Sequence, residues 1–146
     1  MSWRFHAVFG VLASALVIFA IAWGFMLVGS PGQRRAERLD EQRLQDLQTI
    51  AREISDLAVE GTEPRMLKAP LPKTLEEAAE RARNQLLHLQ DPETGAPYGY
   101  SVKDESTFEL RADFTRARHA DYSVFWNHPP GQHSFTINVL DPPPLY

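Results

Sequence analysis

Residues 74–102, TLEEAAERARNQLLHLQDPETGAPYGYSV, contain the change of period that decides the fold. Leu75, Ala78, Ala79, Ala82, Leu86 and Leu89 recur at helical spacing and define one apolar face. Thr74 and Glu77 have the spacing of a capping box, in which the hydroxyl accepts from an amide three residues on and the carboxylate reaches back. Glu77 and Arg81 sit four apart in the favourable order. The helix is expected to run on until just before Pro92, where Asp91-Pro92-Glu93-Thr94-Gly95 is turn chemistry. Beyond the turn the period becomes two, with Tyr98, Tyr100 and Val102 on one side of a strand.

Toward the C-terminus the alternation continues. Phe108, Leu110 and Ala112 form a second strand, and Asp104-Glu105 between the two predicts a hairpin. Phe135, Ile137 and Val139 mark a third. In the irregular stretch between the second and third strands, Tyr122, Phe125 and Trp126 are expected to cover an edge of the core. Asp141-Pro142-Pro143-Pro144 reads as a stiff extended tail. Helices followed by about three antiparallel strands give an α+β class.

Toward the N-terminus, Leu39, Leu44, Leu47, Ile50, Ile54 and Leu57, with Ala51 and Ala58 beside them, predict an amphipathic helix over about residues 33–59. Arg38, Asp40, Glu41, Arg43, Asp46, Arg52, Glu53 and Asp56 are assigned to its charged faces, and Gly61 and Pro64 close it. The apolar stripe has two readings. It packs on the protein's own sheet, or it forms a coiled coil with a second copy. Coiled coils need three or four sustained heptads and this helix has room for barely that many, so the first is preferred.

Residues 7–28 contain no charge, and Ser14 is their only clearly polar residue. A helix of that length spans about 33 Å against a hydrocarbon core of roughly 30 Å. Trp3 and Trp23 lie near its ends, where indoles favour the interface. Ser30, Pro31 and Gly32 are expected to stop or bend it. The competing reading is a cleaved signal peptide, with Arg4 before the run and Ala20-Ile21-Ala22 as the small residues. The run exceeds the usual h-region of about 7–15 residues, which favours an uncleaved anchor. Topology is read two ways. Arg34, Arg35 and Arg38 follow the span and only Arg4 and the terminal amine precede it, so the positive-inside count puts the domain in the cytoplasm. A short N-terminal tail acts instead as a signal anchor and puts it outside. Gly10 with Ser14, and Ala20 with Gly24, have the four-residue spacing that permits close helix contact. The chain thus divides into a tail at 1–6, the span at 7–28, a linker and amphipathic stalk at 29–60, a small domain at 61–140 and a Pro-rich tail at 141–146.

Composition excludes several functions. The formal charge is −4, and all 19 acidic residues lie beyond residue 30 with 14 of the 15 basic ones, which leaves −5 there (14 − 19). No basic stripe with interleaved aromatics is present, so nucleic acid is not the partner. The absence of cysteine removes disulfides and thiolate metal sites. No nucleophile elbow, phosphate-binding loop or dinucleotide fingerprint occurs, so the domain is read as non-enzymatic, with no catalytic residue and no cofactor. His119, His128 and His133, with Asp113 and Asp121, are candidates for zinc, but their spacings match no ligand pair on a helix or hairpin. Tyr98, Tyr100, Phe125 and Trp126 line either a ligand groove or the core, and the core is favoured.

A family resemblance is carried by particular runs. The apolar N-terminal helix leads into an amphipathic one. The proline-rich Leu71-Pro72-Lys73-Thr74-Leu75-Glu76-Glu77 precedes Asp91-Pro92, Gly95 and Pro97-Tyr98-Gly99-Tyr100. This resembles the soluble half of pilin-like proteins, in particular the major pseudopilin of type II secretion. It is also similar to a set of uncharacterised bacterial single-span membrane proteins. They share runs like Leu39-Asp40-Glu41-Gln42-Arg43 through Asp46-Leu47-Gln48, Phe108-Glu109-Leu110, and Gly131 to Phe135. In that set cysteines often stand at the places held here by Arg111 and Ser134. The chain departs from true pilins ahead of the span, where Trp3-Arg4-Phe5-His6 replaces the processing site, and in having no acid inside the apolar run. The resemblance implies a pilin-like domain in the periplasm, tethered to a bacterial inner membrane, with other membrane or periplasmic proteins as partners. Some pseudopilins bind calcium, for which Asp104, Asp113 and Asp121 are the candidates here, but the six or more oxygens of a typical site are not legible in the sequence. The expected function is that of a membrane-anchored interaction protein. The alternatives are an accessory or assembly subunit of a larger membrane complex, and a tethered ligand- or metal-binding domain. A homo-oligomer paired through the span or the stalk is a further partner class.

Overall fold

The computed structural model describes residues 2–28, 31–61, 64–82 and 87–143, without the side chains of residues 2–5, 25–28 and 31. It contains α1 (Ser2–Val28), α2 (Pro31–Ala58), β1 (Val59–Glu60), β2 (Met66–Leu67), α3 (Leu75–Arg81), β3 (Gly99–Val102), β4 (Thr107–Phe114), a 3-10 turn (Val124–Trp126) and β5 (Gly131–Asn138). The chain forms two units, Met1–Arg35 and Ala36–Tyr146.

In the first unit, α1 is apolar on every face. Its stretch His6–Gly24 has a mean hydropathy of 2.3 and none of it is buried. Val8, Phe9, Leu12, Leu16, Ile18 and Phe19 all face outward. A helix that is apolar all round needs a surrounding apolar phase, and its length suits a bilayer. Ser30, expected to break it, lies outside the described residues. Pro31 and Gly32 open α2, where a proline at the first helical position loses no hydrogen bond.

In the second unit, α2 supplies one side of the core. Leu44, Leu47, Ile50, Ala51, Ile54 and Ala58 are buried in one cluster with Phe108, Leu110, Phe135 and Ile137 of the sheet. The stripe is therefore occupied by the protein's own sheet. Asp40, Arg43 and Asp46 differ from expectation: they are buried rather than on a solvated face. The helix ends at Ala58, whose carbonyl accepts from the amides of Lys68 (2.9 Å) and Ala69 (3.3 Å). A two-strand ribbon, absent from the sequence reading, then reverses the chain by pairing Val59 with Leu67 and Glu60 with Met66. Gly61 makes this reversal at φ +84°, a conformation open to glycine and costly for other residues.

Thr74 caps α3, accepting from the amide of Glu77 at 3.2 Å. The Glu77 carboxylate accepts from the amide of Lys73 (2.7 Å), one residue earlier than in a capping box. The helix stops at Arg81, well short of Pro92, because Ala82 leaves helical geometry at ψ 128°. Leu86, expected on its apolar face, lies outside the described residues. Further on, the chain is recruited by the sheet instead. Leu87 is buried, Tyr98 N donates to Leu89 O at 2.9 Å, and Gln90 bridges Pro97. Tertiary pairing wins here over helix propensity.

The sheet is an antiparallel meander in the order β3-β4-β5. Tyr100 pairs with Leu110, Leu110 with Phe135, and Arg111 with Ser134. Phe108, Leu110, Ala112 and Phe114 point into the core, while Glu109, Arg111 and Asp113 point away. This is the alternation of a sheet with one solvated face. Val102, at the end of β3, is exposed rather than buried with Tyr98. Of the three aromatics expected over the core edge, Trp126 is fully buried and Phe125 packs against the cluster, but Tyr122 is 85 % exposed.

Candidate functional site

Asp40, Arg43 and Asp46 follow each other at three-residue steps on α2, so they share the face that carries Leu44, Leu47 and Ile50. A buried arginine requires its donors to be met. Arg43 grips Asp91 with a fork, Nε donating to Oδ2 (2.5 Å) and Nη2 to Oδ1 (3.2 Å). Its Nη1 also donates to Asp40 Oδ1 (2.7 Å) and Thr115 Oγ1 (3.2 Å), and Nη2 to Glu93 Oε2 (2.9 Å). Asp91 Oδ1 additionally accepts from the amides of Glu93 and Thr94, each at 2.9 Å, which closes the Asp-Pro turn. Asp40 accepts from the amides of Thr115 (2.9 Å) and Arg116 (2.8 Å), just after β4. One helix position thus holds the turn before the sheet and the chain leaving β4.

The Asp91 bond holds the Arg43 guanidinium firmly charged, against the opposing effect of burial. Burial pushes the Asp91 carboxyl up, but the Arg43 bond and the amides of Thr94 and Glu93 prevail and bring it down to about 2. Its groups bond one another across α2, the Asp-Pro turn and the chain after β4, so the cluster acts as a clasp.

A second arrangement lies one turn along α2. Asp46 Oδ2 accepts from the Tyr98 hydroxyl (2.9 Å), and Oδ1 lies 3.3 Å from His88 Nδ1. Burial and the Asp46 carboxylate raise the Tyr98 phenol far above its ordinary value. A carboxylate orienting an imidazole is half of an acid–base triad. The adjoining cleft is lined by Gln42, Glu76, Leu89, Gln90 and Pro97 among others, and none of the described residues that line it offers a hydroxyl, thiol or amine nucleophile.

The residues considered for metal are mostly dispersed. His119, Asp121 and Asp113 are exposed, and Asp113 stands opposite Gln132. His128 is buried, its ring stacked on Phe114 at 3.6 Å and its Nδ1 3.2 Å from Pro129 O. His133 lies edge-on to Phe135, 6.4 Å from the His128 ring. Among the described residues no three such side chains are grouped to hold an ion. Asp104 is occupied as a turn acceptor for Ser106 N (2.9 Å). That amide chiefly holds the Asp104 carboxyl below its usual range. Tyr100 donates to Pro72 O (2.7 Å), its phenol pushed up to about 12 mainly by burial. Tyr98, Tyr100, Phe125 and Trp126 accordingly belong to the core.

No family model, curated protein or solved structure matches the chain. The reading of function rests on its own residues.

The Arg43 clasp and the Asp46 pair were missed in the sequence because charged residues were assigned to solvent. A signal was present: three charges at three-residue steps, inside the leucine stripe rather than opposite it.

Proposed function

We propose that this chain is a single-span, membrane-anchored protein whose α+β domain binds other proteins and performs no chemistry. The observation that carries the reading is α1: a continuous apolar helix, unburied along His6–Gly24 and of bilayer length. The pilin-like runs at 71–77 and 91–100 favour a periplasmic domain on a bacterial inner membrane. Membrane and periplasmic proteins are its partners.

Alkaline phosphatase and a cytoplasmic fluorescent reporter, each fused after Tyr146, test the topology. An active phosphatase and a dark reporter are expected, and the reverse pattern overturns the periplasmic placement. N-terminal sequencing of the protein extracted from membranes tests the anchor. A mature chain that begins downstream of Ala22, or one released without detergent, removes it. Mild-detergent purification should carry a stoichiometric protein partner, and a bare monomer speaks against an interaction role.

A further inference from the structure

Residues 118–128 form a loop pinched shut at its neck. Arg118 N donates to His128 O (2.9 Å) and His128 N to Arg118 O (3.3 Å). Inside it, Asn127 ties both backbone groups of Ala120, accepting from its N (2.7 Å) and donating to its O (3.1 Å). Compact loops whose ends meet and whose own side chains fill them are common functional elements. The tip of this one is apolar and wet: Tyr122 is 85 % and Val124 66 % exposed, whereas Trp126 beside them is fully buried.

The neck rests on one titratable ring. His128 is 4 % exposed and lies flat on Phe114 of β4. Pro129 O can only accept, so in the neutral ring the proton sits on Nδ1 and Nε2 takes the next one. The charged groups around it are Asp40, Glu41 and Glu37 of α2, Arg116 just before the loop and Arg118 at its neck, with His133 on β5. Most are already committed. Asp40 is taken up by Arg43 and two amides, Arg118 bonds Glu41 at 2.8 Å, and Arg116 pairs with Glu37 at 2.8 Å. A second proton on His128 would therefore create a buried cation between Arg118 and His133. The closed loop also holds two buried polar atoms with no partner, Arg118 Nε and Ser123 Oγ, which water would satisfy on opening.

We propose that the 118–128 loop is an acid-released strap, latched by neutral His128 and unlatched when that ring takes up a proton. Burial lowers the proton affinity of His128, with Arg118 and His133 adding to it against Asp40 and the Pro129 carbonyl. The closed form is thus fully favoured above the free-imidazole value of roughly 6.5 and is weakened as pH falls below it, by up to about tenfold per unit. Opening swings Trp126 out beside Tyr122 and Val124, which enlarges the apolar tip offered to a partner.

The test uses the full chain in mild detergent with Trp3→Phe and Trp23→Phe, leaving Trp126 as the one indole. Acrylamide quenching is followed from about pH 7.5 to 5, the range in which histidines titrate. Quenching should rise as pH falls while the far-UV helix signal holds steady. His128→Phe should stay shielded throughout, and His133→Gln should still respond. Flat quenching in the parent, an equal rise in His128→Phe, or loss of helix in step with quenching each overturns the proposal. If His128→Phe does not fold, ring-proton NMR of the native chain decides. Titration of His128 below the free value supports the strap, and titration at or above it refutes it.

Discussion

Arg111 on β4 stands directly opposite Ser134 on β5, and its Nε donates to the serine Oγ at 3.1 Å on the solvated face of the sheet. The same guanidinium reaches Glu109 (2.7 Å), which also meets Lys103 (2.8 Å). The Lys103 bond first, then Arg111, bring the Glu109 carboxyl down to about 2. The register gives these two places a direct cross-strand geometry. The double substitution Arg111→Cys/Ser134→Cys should form a disulfide on air oxidation. Closing the intervening loop should add about 2–4 kcal/mol, read as a melting-temperature rise that reductant abolishes. A pair that stays reduced at equilibrium contradicts the register.

Arg111 also constrains its other neighbour. Gly99 pairs with it on β3, and a Cβ built on Gly99 falls 2.9 Å from Arg111 Cβ, too near the backbone for a rotamer change to relieve. Gly99→Ala should cost about 1–3 kcal/mol of the kind seen in overpacking. Adding Arg111→Gly should recover part of the loss, and equal penalties in single and double variants would place the clash elsewhere.

Removing the centre of the clasp strands buried carboxylates. Arg43→Ala should destabilise the domain by roughly 3–5 kcal/mol, as for other broken buried ion pairs. Arg43→Met with Asp91→Leu should cost less than the sum of the two single changes. Urea denaturation in mild detergent, followed through Trp126, supplies the full mutant cycle, and strict additivity would mean the two groups are not coupled.

Acid should loosen the same clasp. The folded Asp91 carboxyl titrates at about 2, below its unfolded value. Its contribution is therefore fully present above the unfolded value of roughly 4 and is lost as pH falls from there toward 2. A plot of melting temperature against pH should fall steeply in that window. Asp91→Asn should flatten part of the fall, and an unchanged slope would exclude Asp91 as its source.

The elements with a clear period were legible before any coordinates. Phe108, Leu110 and Ala112 alternate because one sheet face is solvated, and the stripe from Leu44 to Ala58 repeats because it faces that sheet. The early end of α3 was not legible. Leu89 continues the helical patterning, but its carbonyl accepts from Tyr98 N, which ties the chain there to the sheet side instead. The clasp was hidden for a different reason. A rule that sends charge to water holds for single side chains, but the partners of Arg43 come from turns far along the chain. Tyr122 shows the reverse failure, an aromatic expected in the core that the neck of its loop holds in solvent.

The three distant partners of Arg43 lie 48, 50 and 72 positions away in sequence. While the chain emerges from synthesis, α2 therefore carries an unanswered cation within its leucine stripe until the hairpin has been made and docked. Non-local closure of this kind slows folding and ties helix and sheet into one cooperative transition. A stripe that met another apolar surface before then would have to bury that charge without its partners, at a cost of several kcal/mol.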